Sequence, residues 1–418
     1  MMSQAFYTGI TGIRATDQAI NVISDNLANT ATIGYRGYNT EFSNLFERAV
    51  STGAGNSSVD SSIGVGTRVG AIVMDESKGV YNLTESSTDM AILGDGWFGI
   101  QGYGDTVYTR DGGFTFDSNR DLVTRDGYFV LGTLGNNITD GVLTNQLTEI
   151  PLGDVNAQEK LSFPKELIFP PIATSEVSIS GNLSLTDNIQ TISSPVITST
   201  GQVNNLRIQY TKSAVQVPPG VQWDILATVE DRNTEEVYST QTGVVSFDNL
   251  GALTSNTLTS VDNQGSSVAI DMGTGYTGLI SIDAPQSAIS VADGLTDGEL
   301  LGYDTNKNGE VIATFTNGQQ SNVGTIAIYH FANDRGLERA SGAKFIQSVN
   351  SGDPFFSQDE NGNNIIGTDL TNQKLEGSNV RVEQGLTDII IMQRTFDANS
   401  KSITTADQML QKALNMDA

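Results

Sequence analysis

Both ends of the chain carry an apolar repeat of seven residues. Near the C-terminus Val382, Ile389, Phe396, Ile403 and Leu410 follow one another at that spacing, flanked by Leu386, Met392, Ala406, Ala413 and Leu414. Near the N-terminus Phe6, Ile13, Ile20 and Leu27 do the same, with Ile10 and Ile23 between them. Such a repeat draws a narrow stripe down one side of an α-helix, the pattern of a helix that packs on another helix. The C-terminal segment predicts a single helix of about 35 residues, ending near Asn415, with Ser378 or Asn379 as its N-cap. A helix that long with so narrow a stripe needs another long helix to cover it. The N-terminal helix is interrupted in its seam by Asp17, and Gly9 and Gly12 weaken it by up to about 1 kcal/mol each. Alone in water it is marginal. Two arrangements fit equally well: a pair closed inside one globular protein, or a pair that goes on to assemble with other copies.

The N-terminal helix ends abruptly. In "SDNLANTATIGYRGYNTEF" (24–42) the apolar stripe stops, Thr30, Thr32 and Gly34 break the helix, and Tyr35 to Phe42 reads as an extended aromatic segment. Between the two ends the chain reads as β structure, with Val, Thr, Ile, Tyr and Phe alternating with polar residues and recurrent Asp-Gly or Asn-Gly turns. "TRDGGF" (109–114) and "TRDGYF" (124–129) form a short repeat that predicts successive hairpins in one antiparallel sheet. "FPPIATSEV" (169–177) reads as a domain crossing stiffened by proline. "NKNGEVIATFTNGQ" (306–319) resumes the hairpin pattern. The expected architecture is therefore mostly β with long terminal α-helices, in a nested order. It comprises a terminal helical domain (1–29 plus 375–418), an extended connector (30–70), an inner β domain (71–177 plus 304–374) and an inserted outer β domain (178–303).

Composition narrows the function. The 418 residues allow two or three domains. A formal charge of −26 argues against nucleic acid and anionic membrane surfaces, which select for Lys and Arg clusters. With no Cys and one His (His330), disulfides, thiolate metal sites and multi-histidine sites are excluded. The charge is uneven: residues 1–50 hold three Arg against four acids, and 375–418 hold four basic residues against six acids, so the middle carries nearly all of the excess. Near-neutral ends suit burial by contact, and an acidic middle suits water. No apolar run approaches the roughly 18 residues of a membrane span. The N-terminus shows neither the basic n-region nor the apolar h-region of a secretory signal, which by general secretion rules points to the cytoplasm.

Motifs that suggest chemistry lack its context. "GDGWFG" (94–99) matches G-x-G-x-x-G but is followed by turn and strand, not by the helix that a dinucleotide site requires. "DTNKNGEVI" (304–312) begins like a calcium loop, yet its twelfth position is Phe315 instead of a bidentate Glu. Acid pairs such as Asp75 with Glu76 sit in no pocket signature. His330 has no second His or Cys to work with, and Trp97 and Trp223 read as packing residues. No catalytic, cofactor or metal residues are expected, and no enzyme.

Two long segments carry a resemblance. "SDNLANTATIGYRG" (24–37) resembles the N-terminal signature of the flagellar rod and hook proteins, the axial proteins of the bacterial flagellum. "LEGSNVRVEQGLTDIIIMQRTFDANSKSITTADQMLQKALN" (375–415) is similar to their C-terminal helical signature. The positions that match are Asn26, Leu27, Ala28, Asn29, Thr32, Gly34, Tyr35 and Arg36 at one end and Gln393, Arg394 and Asn399 at the other. "MAILGDGWFGIQ" with the two TRDG segments resembles the shared β domain, whereas 136–168 matches no family motif. "GNLSLTDN" (181–188), "SFDNLGALTS" (246–255) and "GEVIATFTNGQQSNVGTIAIYHFANDRGL" (309–337) resemble the hook branch, with a hook-like paralogue or distal rod type as the alternative and a secreted β-rich enzyme or adhesin further off. The resemblance implies a homopolymer forming a short, curved, hollow helical tube that carries motor torque. It implies as neighbours the distal rod protein, a hook cap protein and a hook–filament junction protein. It also implies delivery by the flagellar type III export apparatus, outside the cell and without a cleaved signal peptide. The nine apolar repeat residues would then be the assembly seam.

Overall fold

The computed structural model describes residues 2–46, 64–102, 104–216 and 218–416. Part of the expected connector, 47–63, therefore lies outside the described residues. Two helices bracket the chain, α1 (Met2–Ala28) and α2 (Val382–Met416), and everything described between them is strand, turn or loop apart from one short 3₁₀ turn at Asp334–Gly336.

The helices lie antiparallel against each other. Gly9 faces Ile403, Gly12 faces Asn399, and Gly385 faces Leu27. A Cβ added to Gly12 would stand 2.6 Å from the Asn399 side-chain amide, which would have to shift to admit it. The buried face of α1 is Gly9, Gly12, Ala15, Thr16 and Ala19, spaced three and four apart as a helix face demands. The glycines expected to weaken the helix thus form its contact surface. The expected seam lies only partly there. Ile13, Ile20 and Leu27, and on α2 Ile389, Phe396 and Ile403, are half-buried, while Phe6, Val382 and Leu410 are exposed. A straight helix of 3.6 residues per turn drifts about 20° per seven residues. The ends of a seven-residue stripe therefore rotate out of a contact that its middle makes.

The start of α2 is also displaced. Neither Ser378 nor Asn379 is its N-cap: the helix opens at Val382, where the Gly385 amide bonds to the Arg381 carbonyl at 3.0 Å. Asn379 makes long-range contacts instead, described below.

After α1, β1 (Tyr38–Phe46) and β2 (Gly64–Met74) pair antiparallel as a ribbon that packs beside α1, with Gly66 against Thr11. A fifteen-stranded sheet follows, containing Trp97–Gln101, Phe129–Leu134, Gly298–Thr305, Glu310–Phe315 and Gln320–Ile326. Its core centres on Phe98, Ile100, Phe114, Phe315, Val323 and Ile326. "TRDGYF" closes a tight hairpin, with Val123 opposite Phe129 and Gly127 at φ +82°. "TRDGGF" does not: Thr106–Thr109 pairs with Trp97–Gln101 and with Lys344–Ile346, whereas Phe114–Phe116 pairs with Leu122–Thr124. A Cβ on Gly112 would stand 1.9 Å from the Met90 carbonyl oxygen, so another strand fills the space a hairpin would need and the segment turns a corner.

Besides three small two-stranded sheets, two five-stranded sheets make up a second body of β structure. One is an antiparallel meander from Ile189 to Asn256, and the other gathers around Glu176–Asn182. Their inner faces share a core of Val177, Ile179, Leu206, Ile208, Trp223, Val245 and Val268, the arrangement of a β-sandwich. The chain enters and leaves this sandwich side by side, since Ile172 and Leu295 exchange backbone hydrogen bonds of 2.8 and 2.9 Å. Gly298–Thr305 already belongs to the fifteen-stranded sheet, paired with Glu310–Phe315. The expected outer boundary at 303 therefore lies too late, and the one at 178 cuts the strand Glu176–Asn182. A short strand of mixed polar and apolar residues looks alike in either sheet, and only its pairing assigns it.

Candidate assembly site at the helix pair and its junction

Three passes of the chain meet where the helices join the β structure. They are the turn after α1, the exit from β2, and the strand-to-helix segment before α2. Glu376 sits at the centre with its side chain 1% exposed. One carboxylate oxygen lies 3.0 Å from Arg36 and accepts the Gly79 amide at 3.0 Å; the other faces Arg110 at 3.5 Å. The Glu376 carbonyl takes the Gly34 amide at 2.8 Å. Gly34 itself stands at φ +66°, and a Cβ there would meet the Asp111 amide nitrogen at 2.4 Å, so both its conformation and its space require glycine. Arg36, buried at 3%, also donates to the Ser77 carbonyl. Burial pulls Arg110 down to about 10, with Arg36 adding to the effect, yet the Arg110 guanidinium keeps its charge at neutral pH.

Two asparagines clamp the same region. Asn26 holds both backbone groups of Tyr38, donating to its carbonyl at 2.7 Å and accepting its amide at 3.0 Å. Asn379 accepts the Gly37 amide at 2.8 Å and donates to the carbonyls of Asp75 and Ser77, each at 2.9 Å. Asn29 donates to the Asp25 carbonyl at 2.9 Å, and Thr32 donates to Asn29 at 3.1 Å, which rounds off the end of α1.

A second contact ties α1 to the far side of the sheet. Arg339 donates to Asp25 at 2.6 Å and lies 5.1 Å from the Tyr35 ring centre and 5.8 Å from that of Tyr38. This hydrogen bond holds the Asp25 carboxyl below the usual range, against the opposing effect of partial burial. Burial pushes the Tyr35 hydroxyl up to about 12, so it remains a donor to Asp25, 3.1 Å away.

Of the positions matched by the family signature, Asn26, Asn29, Thr32, Gly34, Tyr35 and Arg36 converge on this junction, and Leu27 packs on Gly385. Ala28, the last residue of α1, is exposed, as are Gln393 and Arg394 on α2, while Asn399 packs on Gly12. Sequence reasoning missed Glu376, Arg110 and Arg339, and gave Asn379 only a capping role. Glu376 and Asn379 lie inside the quoted C-terminal motif, and Arg110 inside the TRDG repeat, so the available signal was a charged or amide residue held within a long motif.

The outward side of the helix pair carries Leu386, Ile390 and Ile391 about half exposed on α2, with Val382 and Leu410 near its ends. Among the described residues no group of three or more His, Cys, Asp and Glu is placed to hold a metal ion. No helix of the described residues is long and apolar enough to cross a membrane. "GDGWFG" leads into a strand, and Trp97 packs on Phe345 with ring centres 4.9 Å apart; Trp223 donates to Ser281 inside the sandwich core.

Comparison with known proteins places these features. The family profile described as flagella basal body rod protein matches residues 6–36, that of the flagellar hook protein FlgE/F/G D1 domain matches 91–222, and that of the flagellar basal body rod FlgEFG protein C-terminal region matches 371–416. The chain is 26% identical to the flagellar hook protein FlgE of Borreliella burgdorferi over 99% of its length and all of that protein. It is 27% identical to that of Brucella suis, over 98% of each chain, and 26% identical to that of Escherichia coli K12, over 99% of this chain and all of the other. The crystal structure of the Helicobacter pylori flagellar hook protein FlgE2 shares the fold, with a TM-score of 0.51 at 15% identity, across 71% of this chain and all of that one. Matched at both ends, in the β domain between them and along the length of hook proteins, the chain belongs to the flagellar rod and hook protein family.

Proposed function

We infer that this chain is a structural, non-enzymatic subunit of the bacterial flagellar hook, polymerising into a short, curved, hollow tube that transmits torque from rod to filament. The observation that carries the reading is end-to-end similarity to hook proteins, combined with a helix pair whose outward apolar residues stay exposed among the described residues. Exposed Leu386, Ile390 and Ile391 have the character of an interface core. The half-buried repeat residues Ile13, Ile20, Leu27, Ile389, Phe396 and Ile403 would set the pair's shape, and Phe6, Val382 and Leu410 would meet other copies.

The domains would nest: helix pair at the tube axis, ribbon and fifteen-stranded sheet around it, and the sandwich outermost. The side-by-side crossing at Ile172 and Leu295 supports this order. Bending at every turn requires outer contacts that slide, and polar, hydrated surfaces slide at low energetic cost. The distal rod protein, hook cap and hook–filament junction proteins would adjoin the tube, and type III export would deliver the subunit outside the cell. Electron microscopy of the concentrated protein tests the reading. Hollow tubes are the expected result, and discrete monomers at every salt concentration and pH would overturn it.

A further inference from the structure

The two ends of the helix pair differ in a complementary way. At the end remote from the fifteen-stranded sheet, Phe6 and Tyr7 on α1 and Met409, Leu410 and Leu414 on α2 are all exposed, Tyr7 at 65% and Leu414 at 72%. At the root lies an open groove of about 410 Å³ between the start of α2, the end of α1 and β1. Its apolar walls are Ile23, Phe42, Val380 and Met392, and Asp388 and Arg381 stand among them. The groove is continuous with the helix–helix contact, because Gly385, which packs on Leu27, also lines it.

We propose that this root groove receives the remote end of α2 from a second copy of the chain, so that Leu410 and Leu414 of one subunit pack on Phe42 and Met392 of the next. The inference rests on the polymer reading above and specifies one axial contact within it. Several observations select this occupant. The groove has room for a few aliphatic side chains, and the remote end presents several. Lys412, three residues beyond Met409, would approach Asp388 with the opposite charge. Knob and groove lie at opposite ends of an antiparallel helix pair, so neither can reach the other within one chain. A contact between two different surfaces of one subunit is heterologous and propagates as an open helical polymer, whereas a contact between two remote ends would close into a discrete dimer.

The chain has no cysteine, which gives a clean background for a test by cross-linking. Full-length L414C and full-length F42C chains are mixed into excess wild-type protein, assembled and oxidised. A disulfide forms only where the Cα atoms come within about 7 Å. The expected result is a 42–414 linked dimer from the mixture containing both variants and none from either variant alone. Tubes without that link overturn the docking and leave the polymer reading standing. Self-linking of L414C overturns it in favour of end-to-end pairing. Failure of the wild type to form tubes removes the polymer reading and the docking with it. Should the cysteine chains be excluded from tubes, the critical concentration decides. L414D should raise it by more than about tenfold, because a carboxylate would have to replace the aliphatic contact with Phe42 and Met392, and L414M should leave it unchanged. Equal critical concentrations for L414D and L414M overturn the proposal.

Discussion

At the scale of single residues, the junction depends on one carboxylate. Glu376 is the acidic partner of two buried guanidinium groups, so Glu376→Gln leaves Arg36 and Arg110 without it inside the protein. Breaking a buried ion pair on one side costs about 3–5 kcal/mol. Denaturant unfolding of the full chain should show that loss, while replacing Arg36 and Glu376 together by Met should cost less; equal losses would mean that charge is not what holds the junction. Asp25 makes the junction sensitive to acid. Its folded carboxyl titrates below its ordinary value of 3.8, chiefly through the Arg339 hydrogen bond. A depressed carboxylate stabilises fully above the unfolded value, and the contribution is lost as pH falls through the folded one. Amide exchange at the end of α1 should therefore quicken below about pH 4 in the wild type and show a weaker acid dependence in Asp25→Asn. An unchanged acid profile in that variant would remove Asp25 from this role.

At the scale of elements, α1 meets α2 through small side chains. Gly12→Leu would drive a side chain into Asn399, and overpacking of this kind costs about 1–3 kcal/mol. Circular dichroism should report helix lost on heating at a lower temperature while the β signal melts as before. Phe396 is half-buried and lies one heptad before Ile403, which packs on Gly9 of α1, so Phe396→Asp should abolish tube formation and leave the β sheets folded. Normal tubes from that variant would show that the stripe takes no part in assembly. The existence of the two helices and of the break after Ala28 was legible in the sequence, because helical periodicity is written in neighbours three and four residues apart. The contacting face was not legible. Gly9 and Gly12 lower intrinsic helix propensity, and their value appears only when the side chains of Ile403 and Asn399 pack against them.

At the scale of the whole molecule, the sandwich can be treated as an insertion. Its two crossings are hydrogen-bonded together at Ile172 and Leu295, so a short Gly-Ser linker should span them at little entropic cost. A chain with residues 175–293 so replaced should still form tubes, but straighter ones, if the outer domain supplies the sliding contacts that favour curvature. Electron micrographs of both proteins measure this, and a folded deletion variant that forms no tube would make the sandwich an assembly element.

By itself the sequence determined the helical ends, the β-rich middle, the short-range turns and the family, all of which rest on local periodicity or on contiguous motifs. The tertiary structure alone decided which strand joins which sheet, why "TRDGGF" turns a corner where "TRDGYF" makes a hairpin, and how the junction is held. Gly37 and Asn379 are 342 residues apart in sequence, and Arg110 and Glu376 are 266 apart. Neither pairing leaves a periodic trace. Arg110 and Arg125 stand at the same place in two nearly identical segments, yet one is buried against Glu376 and the other lies on the surface beside Asp89, 3.8 Å away. The neighbouring backbone differs too: the Met90 carbonyl takes the space beside Gly112 that a hairpin would need, and that neighbour arrives only when the chain has folded.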